Sequence, residues 1–151
     1  IDSLKNFVSD SSFESGDIWK NTKWILEDTK SSLQIEKNKA NVHSENNSIS
    51  YWKDSNFNFK IYQKIDGLEN GTYKLSVWSM GEKGKKSLYL YSNNGSLENK
   101  TSVIDSGWSK WNKFEINNIN VVNGSLEIGI YGNCMSGDWG KIDSFELIRI
   151  K

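Results

Sequence analysis

The chain has 151 residues, enough for one domain with a sizeable core. Its 19 basic and 19 acidic residues balance to zero, which excludes the concentrated basic field that nucleic acid or an anionic membrane surface calls for. One cysteine, Cys134, excludes an internal disulfide, and with a single histidine beside it most zinc sites are excluded as well.

In chain order, short alternating runs recur between Gly, Asn, Asp and Ser, and helical periodicity is nearly absent. The pattern predicts strands at Trp24–Leu26, Leu33–Glu36, Ile49–Trp52, Phe57–Ile65, Tyr73–Met80, Ser87–Tyr91, Ser102–Asp105, Trp111–Ile116, Ser125–Tyr131 and Lys141–Ile150. Glu69-Asn70-Gly71, Asn93-Asn94-Gly95 and Asn123-Gly124 supply turns that favour positive φ. About ten strands at this spacing describe a sandwich or a barrel, in one domain over residues 1–151 without linker or repeat. No apolar run is long enough to span a bilayer. The chain opens at Ile1 and not at Met, so it reads as excised from a larger polypeptide or trimmed of a signal peptide. Abundant Lys, Asn, Ser and Ile without proline suggest an AT-rich, bacterial coding sequence; the protein is expected to be secreted.

Alternation also assigns faces. Tyr73, Leu75 and Val77 oppose Ser76, Trp78 and Met80; Ile49 and Tyr51 oppose Ser50 and Trp52. Leu88 and Leu90 oppose Tyr89 and Tyr91, and Leu126, Ile128 and Ile130 oppose Glu127, Gly129 and Tyr131. The aliphatic sets read as core. The opposing sets carry Trp52, Trp78, Tyr89, Tyr91 and Tyr131, which form one aromatic platform if their strands share a sheet. Seven Trp, six Tyr and six Phe in a chain of mean hydropathy −0.65 make it unnecessary to bury every ring, and clustered exposed aromatics mark binding sites.

Several stretches carry a resemblance. Ser12-Phe13-Glu14-Ser15-Gly16 followed by Trp24 resembles the opening of galactose-binding-like jelly rolls. Gly67-Leu68-Glu69-Asn70-Gly71-Thr72-Tyr73-Lys74-Leu75-Ser76-Val77-Trp78 resembles their central motif, and Asp138-Trp139-Gly140-Lys141-Ile142-Asp143-Ser144-Phe145-Glu146-Leu147 their close. Tyr51-Trp52-Lys53-Asp54, Ser106-Gly107-Trp108-Ser109-Lys110-Trp111 and Ile130-Tyr131-Gly132-Asn133 resemble carbohydrate-binding modules of family 61. That resemblance implies an all-β jelly-roll sandwich of two antiparallel sheets. It also implies attachment to an endo-β-1,4-galactanase and binding of β-1,4-galactan.

A pyranose presents a face of C–H groups that packs flat on an indole, while its edges take hydrogen bonds. The expected ligand set is therefore Trp52, Trp78, Trp139, Tyr131 and Tyr89. Trp108 lies in a Gly/Ser turn and serves either the ligand or loop packing. Gln63 and Asn133 are expected as polar partners. Trp24 and Trp111 are assigned to the core, both because they sit among alternating aliphatics and because the resemblance implies structural roles at these positions. Trp19 sits in a polar loop without an assigned role. The resemblance further implies a structural Ca²⁺ held by Glu14, Gly16 and Asp143, with carbonyls from the loop between Lys37 and Asn47.

Nothing marks a catalyst. Paired carboxylates are inevitable among 19 acids, no nucleophile elbow or phosphate-binding glycine loop occurs, and Cys134 has no second histidine as base. The expected function is a non-catalytic, monomeric module tethered to a glycoside hydrolase, holding it on plant cell-wall polysaccharide. Alternatives are a module for xylan or glucan, a small jelly-roll hydrolase or lyase, and a protein-interaction domain.

Overall fold

A computed structural model describes residues 5–15, 22–84 and 86–151. Among these residues ten antiparallel strands form two five-stranded sheets packed face to face, the jelly-roll sandwich expected. The strands are β1 (Ile25–Glu27), β2 (Leu33–Glu36), β3 (Ser48–Trp52), β4 (Phe57–Ile65), β5 (Gly71–Gly81), β6 (Ser87–Asn93), β7 (Glu98–Ser102), β8 (Gly107–Val121), β9 (Leu126–Cys134) and β10 (Trp139–Arg149). The first sheet runs β1-β4-β9-β6-β7 and the second β2-β3-β10-β5-β8.

Period-2 alternation builds the core. Phe57, Phe59 and Ile61 of β4, Leu88 and Leu90 of β6, and Ile128 and Ile130 of β9 face Ile49, Tyr51, Leu75, Val77, Ile142 and Leu147 of the second sheet. All of these are at most 3% exposed. Trp24 is core as expected, 4% exposed, with its ring 5.1 Å from Phe13 and 4.9 Å from Phe145.

One predicted strand is displaced. The seventh covers Glu98–Ser102 and not Ser102–Asp105. The Asn94 side chain accepts from the Ser96 and Leu97 amides, a turn that lets Glu98 pair with Asn93 at once. Val103 and Asp105 remain buried beyond the strand end, where the Val103 amide donates to the Leu88 carbonyl.

Gln63 is placed by the fold in a way that removes it from the binding set. It points inward, is 2% exposed, and exchanges two hydrogen bonds with the backbone of Ser9. Its amide pins the N-terminal segment against the sandwich and has no access to a ligand.

Candidate functional site

The outer face of the second sheet gathers indoles. Trp52 and Trp139 are direct cross-strand partners on β3 and β10, so their side chains stand next to each other. Trp52 is half-exposed and Trp139 half-buried. One row further along, Ser50, Lys141 and Met80 lie side by side on β3, β10 and β5. A polar chain crosses the face at that level. The Lys141 ammonium donates to Ser50 Oγ at 2.8 Å and pairs with Glu36 at 3.0 Å. Asn41 Nδ2 donates to the same Glu36, and Asn41 Oδ1 accepts from the Trp108 indole N–H at 2.9 Å. This tie orients the exposed Trp108 ring, which the left-handed turn at Ser109 (φ 64°) swings off the start of β8. Trp52, Trp139 and Trp108 thus share the outer side of the second sheet with the polar chain Ser50, Lys141, Glu36 and Asn41, a stretch termed the tryptophan trough. Sequence reasoning missed Asn41, Glu36 and Lys141, because their convergence depends on the β2–β3 loop lying over the sheet.

A second device, also missed, stands behind Trp139. Lys86 and Asp105 form an ion pair at 2.8 Å whose side chains are 1% and 0% exposed. The ammonium also donates to the Tyr51 hydroxyl and, at 3.1 Å, to the Trp139 carbonyl, while Ser79 Oγ donates to Asp105. Burial first, and then the Asp105 charge, hold the Tyr51 phenol well above its ordinary pKa, so it stays neutral. Fully bonded, the network fixes the backbone that carries Trp139. Gly140 is required there: a Cβ would stand 2.2 Å from the Tyr51 hydroxyl.

Trp78 points outward as its phase demands, but it is no open platform. The His43 imidazole is stacked on it, with centroids 4.2 Å apart and planes at 19°, and Trp111 lies 5.4 Å from the same imidazole. The His43 ring occupies the surface a sugar would use. Trp111 is likewise not core: it shares the outward phase of Lys113 and Glu115, opposite Phe114 and Ile116. The two indoles and His43 are a packing cluster under the β2–β3 loop.

Tyr131, Tyr89 and Asn133 are also redirected. They sit on the outer face of the first sheet, on the far side of the sandwich from Trp52 and Trp139. One expected platform is therefore two separate faces.

Glu14 and Asp143 do converge, on the β2–β3 loop. Asp143 is fully buried beside the β-bulge at Ser144 and accepts from the amides of His43, Ser44 and Ser144. Glu14 accepts from the amides of Asn46 and Asn47. Burial pushes the Asp143 carboxyl up to about 7, the three amide donors oppose this, and the Glu14 charge adds to the rise. Among the described residues no Lys or Arg pairs with either carboxylate. Two hard oxygen donors with mutual repulsion and no counter-cation fit the chemistry of calcium. No third His, Cys, Asp or Glu joins them among the described residues, so carbonyls would have to complete the shell. Gly16 lies outside the described residues.

No family model and no curated protein matches the chain. Solved structures do. TmCBM61, determined in complex with β-1,4-galactotriose, superposes with a TM-score of 0.88 at 30% identity, covering 97% of this chain and 99% of that one. The chain belongs to carbohydrate-binding module family 61. The xylan-binding CBM22-1 domain of Paenibacillus barcinonensis Xyn10C shares the fold at TM-score 0.63 and 13% identity, over 100% of this chain and 98% of that one. So does CBM6cm-2 of Cellvibrio mixtus lichenase 5A, in complex with cellotriose, at TM-score 0.58 and 14% identity, over 97% and 100%. The family 61 module is thus a carbohydrate-binding domain whose trough carries, among the described residues, the most accessible indoles, Trp52 and Trp108, each at least half-exposed.

Proposed function

We propose that this family 61 module binds β-1,4-galactan in the trough between Trp52, Trp139 and Trp108, without cleaving it. The observation that carries the reading is the pairing of Trp52 with Trp139 on a face that also carries a third, hydrogen-bonded indole. Indoles spread over one face fit a chain that turns, and the axial C4 linkage of galactan turns it into an open helix. The likeness to a structure holding galactotriose supports the same ligand. Lys141, Ser50 and Glu36 would serve the hydroxyls at the floor. Titration calorimetry with galactotriose, against xylotriose and cellotriose, tests this. Heat with xylotriose and none with galactotriose would sink the ligand assignment and leave the module class standing.

We further propose a structural Ca²⁺ held by Glu14 and Asp143 with neighbouring carbonyls. When bound, it neutralises two facing carboxylates and fastens the β2–β3 loop to both ends of the chain. In the cell the module is proposed to be secreted and tethered to a hydrolase, where it raises local enzyme concentration on an insoluble polymer.

A further inference from the structure

The aromatic residues are sorted by type. Of the six Trp among the described residues, five lie on the outer side of the second sheet. Of the six Tyr, four lie on the outer side of the first: Tyr62, Tyr89, Tyr91 and Tyr131, around the bare position Gly129. Tyr131 is 5.4 Å from Tyr89 and 5.5 Å from Tyr91, which meets it edge-on. Tyr91 is 1% exposed, locked by a hydrogen bond from its hydroxyl to Glu127, so it is a rigid backing and Tyr131 is the accessible ring.

Beside Tyr131 opens a depression of about 440 Å³, walled by Tyr91 and Tyr131 and rimmed by Asn58, Asn133, Glu27 and Glu98. Asn58 and Asn133 are cross-strand partners, both exposed. Among the described residues, neither amide makes a side-chain hydrogen bond, and neither Glu27 nor Glu98 is ion-paired. Lys60 is committed to Glu127 at 3.4 Å and lies over the rings of Tyr62 and Tyr91. The site thus has an aromatic wall, two unengaged amides that can both donate and accept, and two unengaged carboxylates that accept from hydroxyls.

We propose that this tyrosine face is a second, independent carbohydrate site, taking one or two residues of a neutral sugar with a pyranose ring against Tyr131. At the depression Glu27, Glu98 and Glu127 stand round the Lys60 ammonium, with Lys100 further along over Tyr89, so a uronate carboxylate is disfavoured beside Tyr131 and a neutral sugar accepted. The proposal does not depend on what the tryptophan trough binds. Because the faces are back to back, the module would bridge two polysaccharide chains.

Residue-resolved NMR titration with β-1,4-galactotriose reads both faces of one sample. The expected result is two sets of shifting amides with different midpoints, one around Trp52 and Trp139 and one around Asn58, Tyr131 and Asn133. Tyr131→Ala and the exposed, fold-neutral Asn133→Ala should each weaken the second midpoint roughly tenfold while the first stays in place. Trp52→Ala should do the reverse, and digalacturonate should move neither set. Shifts confined to the tryptophan trough overturn the proposal and leave the galactan reading intact. Shifts confined to the tyrosine face support it and overturn that reading. A second set that responds to galactotriose but ignores both Tyr131→Ala and Asn133→Ala also overturns it.

Discussion

At Trp52 and Trp139 the same side-chain type does a different job from Trp24, and one pair of measurements separates them. Trp52→Ala removes a half-exposed ring and should cost about 2–4 kcal/mol of galactan affinity with little change in melting temperature. Trp24→Ala empties a site packed between Phe13 and Phe145 and should cost about 3–5 kcal/mol of stability, with affinity kept in the folded fraction. A Trp52 variant that melts early yet binds normally would reverse the assignment. Lys86 is the sharper case. Lys86→Met leaves the buried Asp105 without its partner, and should cost about 3–5 kcal/mol in urea unfolding. Because Lys86 also holds the Trp139 carbonyl, galactan affinity should fall too, which a remote core change of equal cost would not produce. Cys134 is 1% exposed, and burial raises its thiol to about 12. It should react with a thiol reagent at the rate of global unfolding, so immediate labelling of the native module would contradict its placement.

At the scale of elements, the β2–β3 loop decides most. It supplies Asn41 to Trp108 and His43 to Trp78, and it is gripped from below by Glu14 and Asp143. The folded Asp143 carboxyl, at about 7, lies above its ordinary value of 3.8, so the folded state holds that proton more tightly than the unfolded chain. The stability tied to it is complete below about pH 4 and is lost as pH rises through about 7. Metal-free module should therefore melt progressively lower from pH 4 to 7 through this group. Calcium, by holding the carboxylate ionised, should flatten the slope and raise the melting temperature at neutral pH. Identical melts with calcium and with chelator at pH 7 would remove the metal from consideration. Strand positions were largely legible in the sequence, since alternation and turn residues act locally. The misplaced seventh strand traces to the Asn94 turn. Even Trp111 was readable, sharing phase with Lys113 and Glu115; its core assignment drew on resemblance and on nearby aliphatics.

Across the whole molecule, what alternation leaves open is which strands share a sheet. It sets Trp52 and Tyr131 each opposite the core, and both are, yet β3 and β9 belong to different sheets. The connections settle that, through long-range pairings no single segment contains. Gln63 fails for a related reason: its phase is inward, and only the N-terminal segment, 54 residues away, gives it partners. The trough's indoles were readable one by one, and its polar floor was not, because Glu36 and Asn41, at the end of β2 and in the loop after it, meet Lys141 of β10 only in the folded sheet.

The sorting of Trp to one side and Tyr to the other has an optical consequence. Light at the red edge of the protein absorption excites indoles alone, so emission from the Trp among the described residues then reports the trough side, with Trp24 as a buried, steady background; a Trp19→Phe variant removes the one indole outside them. Ultraviolet difference absorption of the phenols reports the opposite side, with Tyr51 and Tyr73 as the steady background. A single unlabelled sample thus carries two built-in colour channels, one per surface, and a ligand mixture can be followed as it partitions between them.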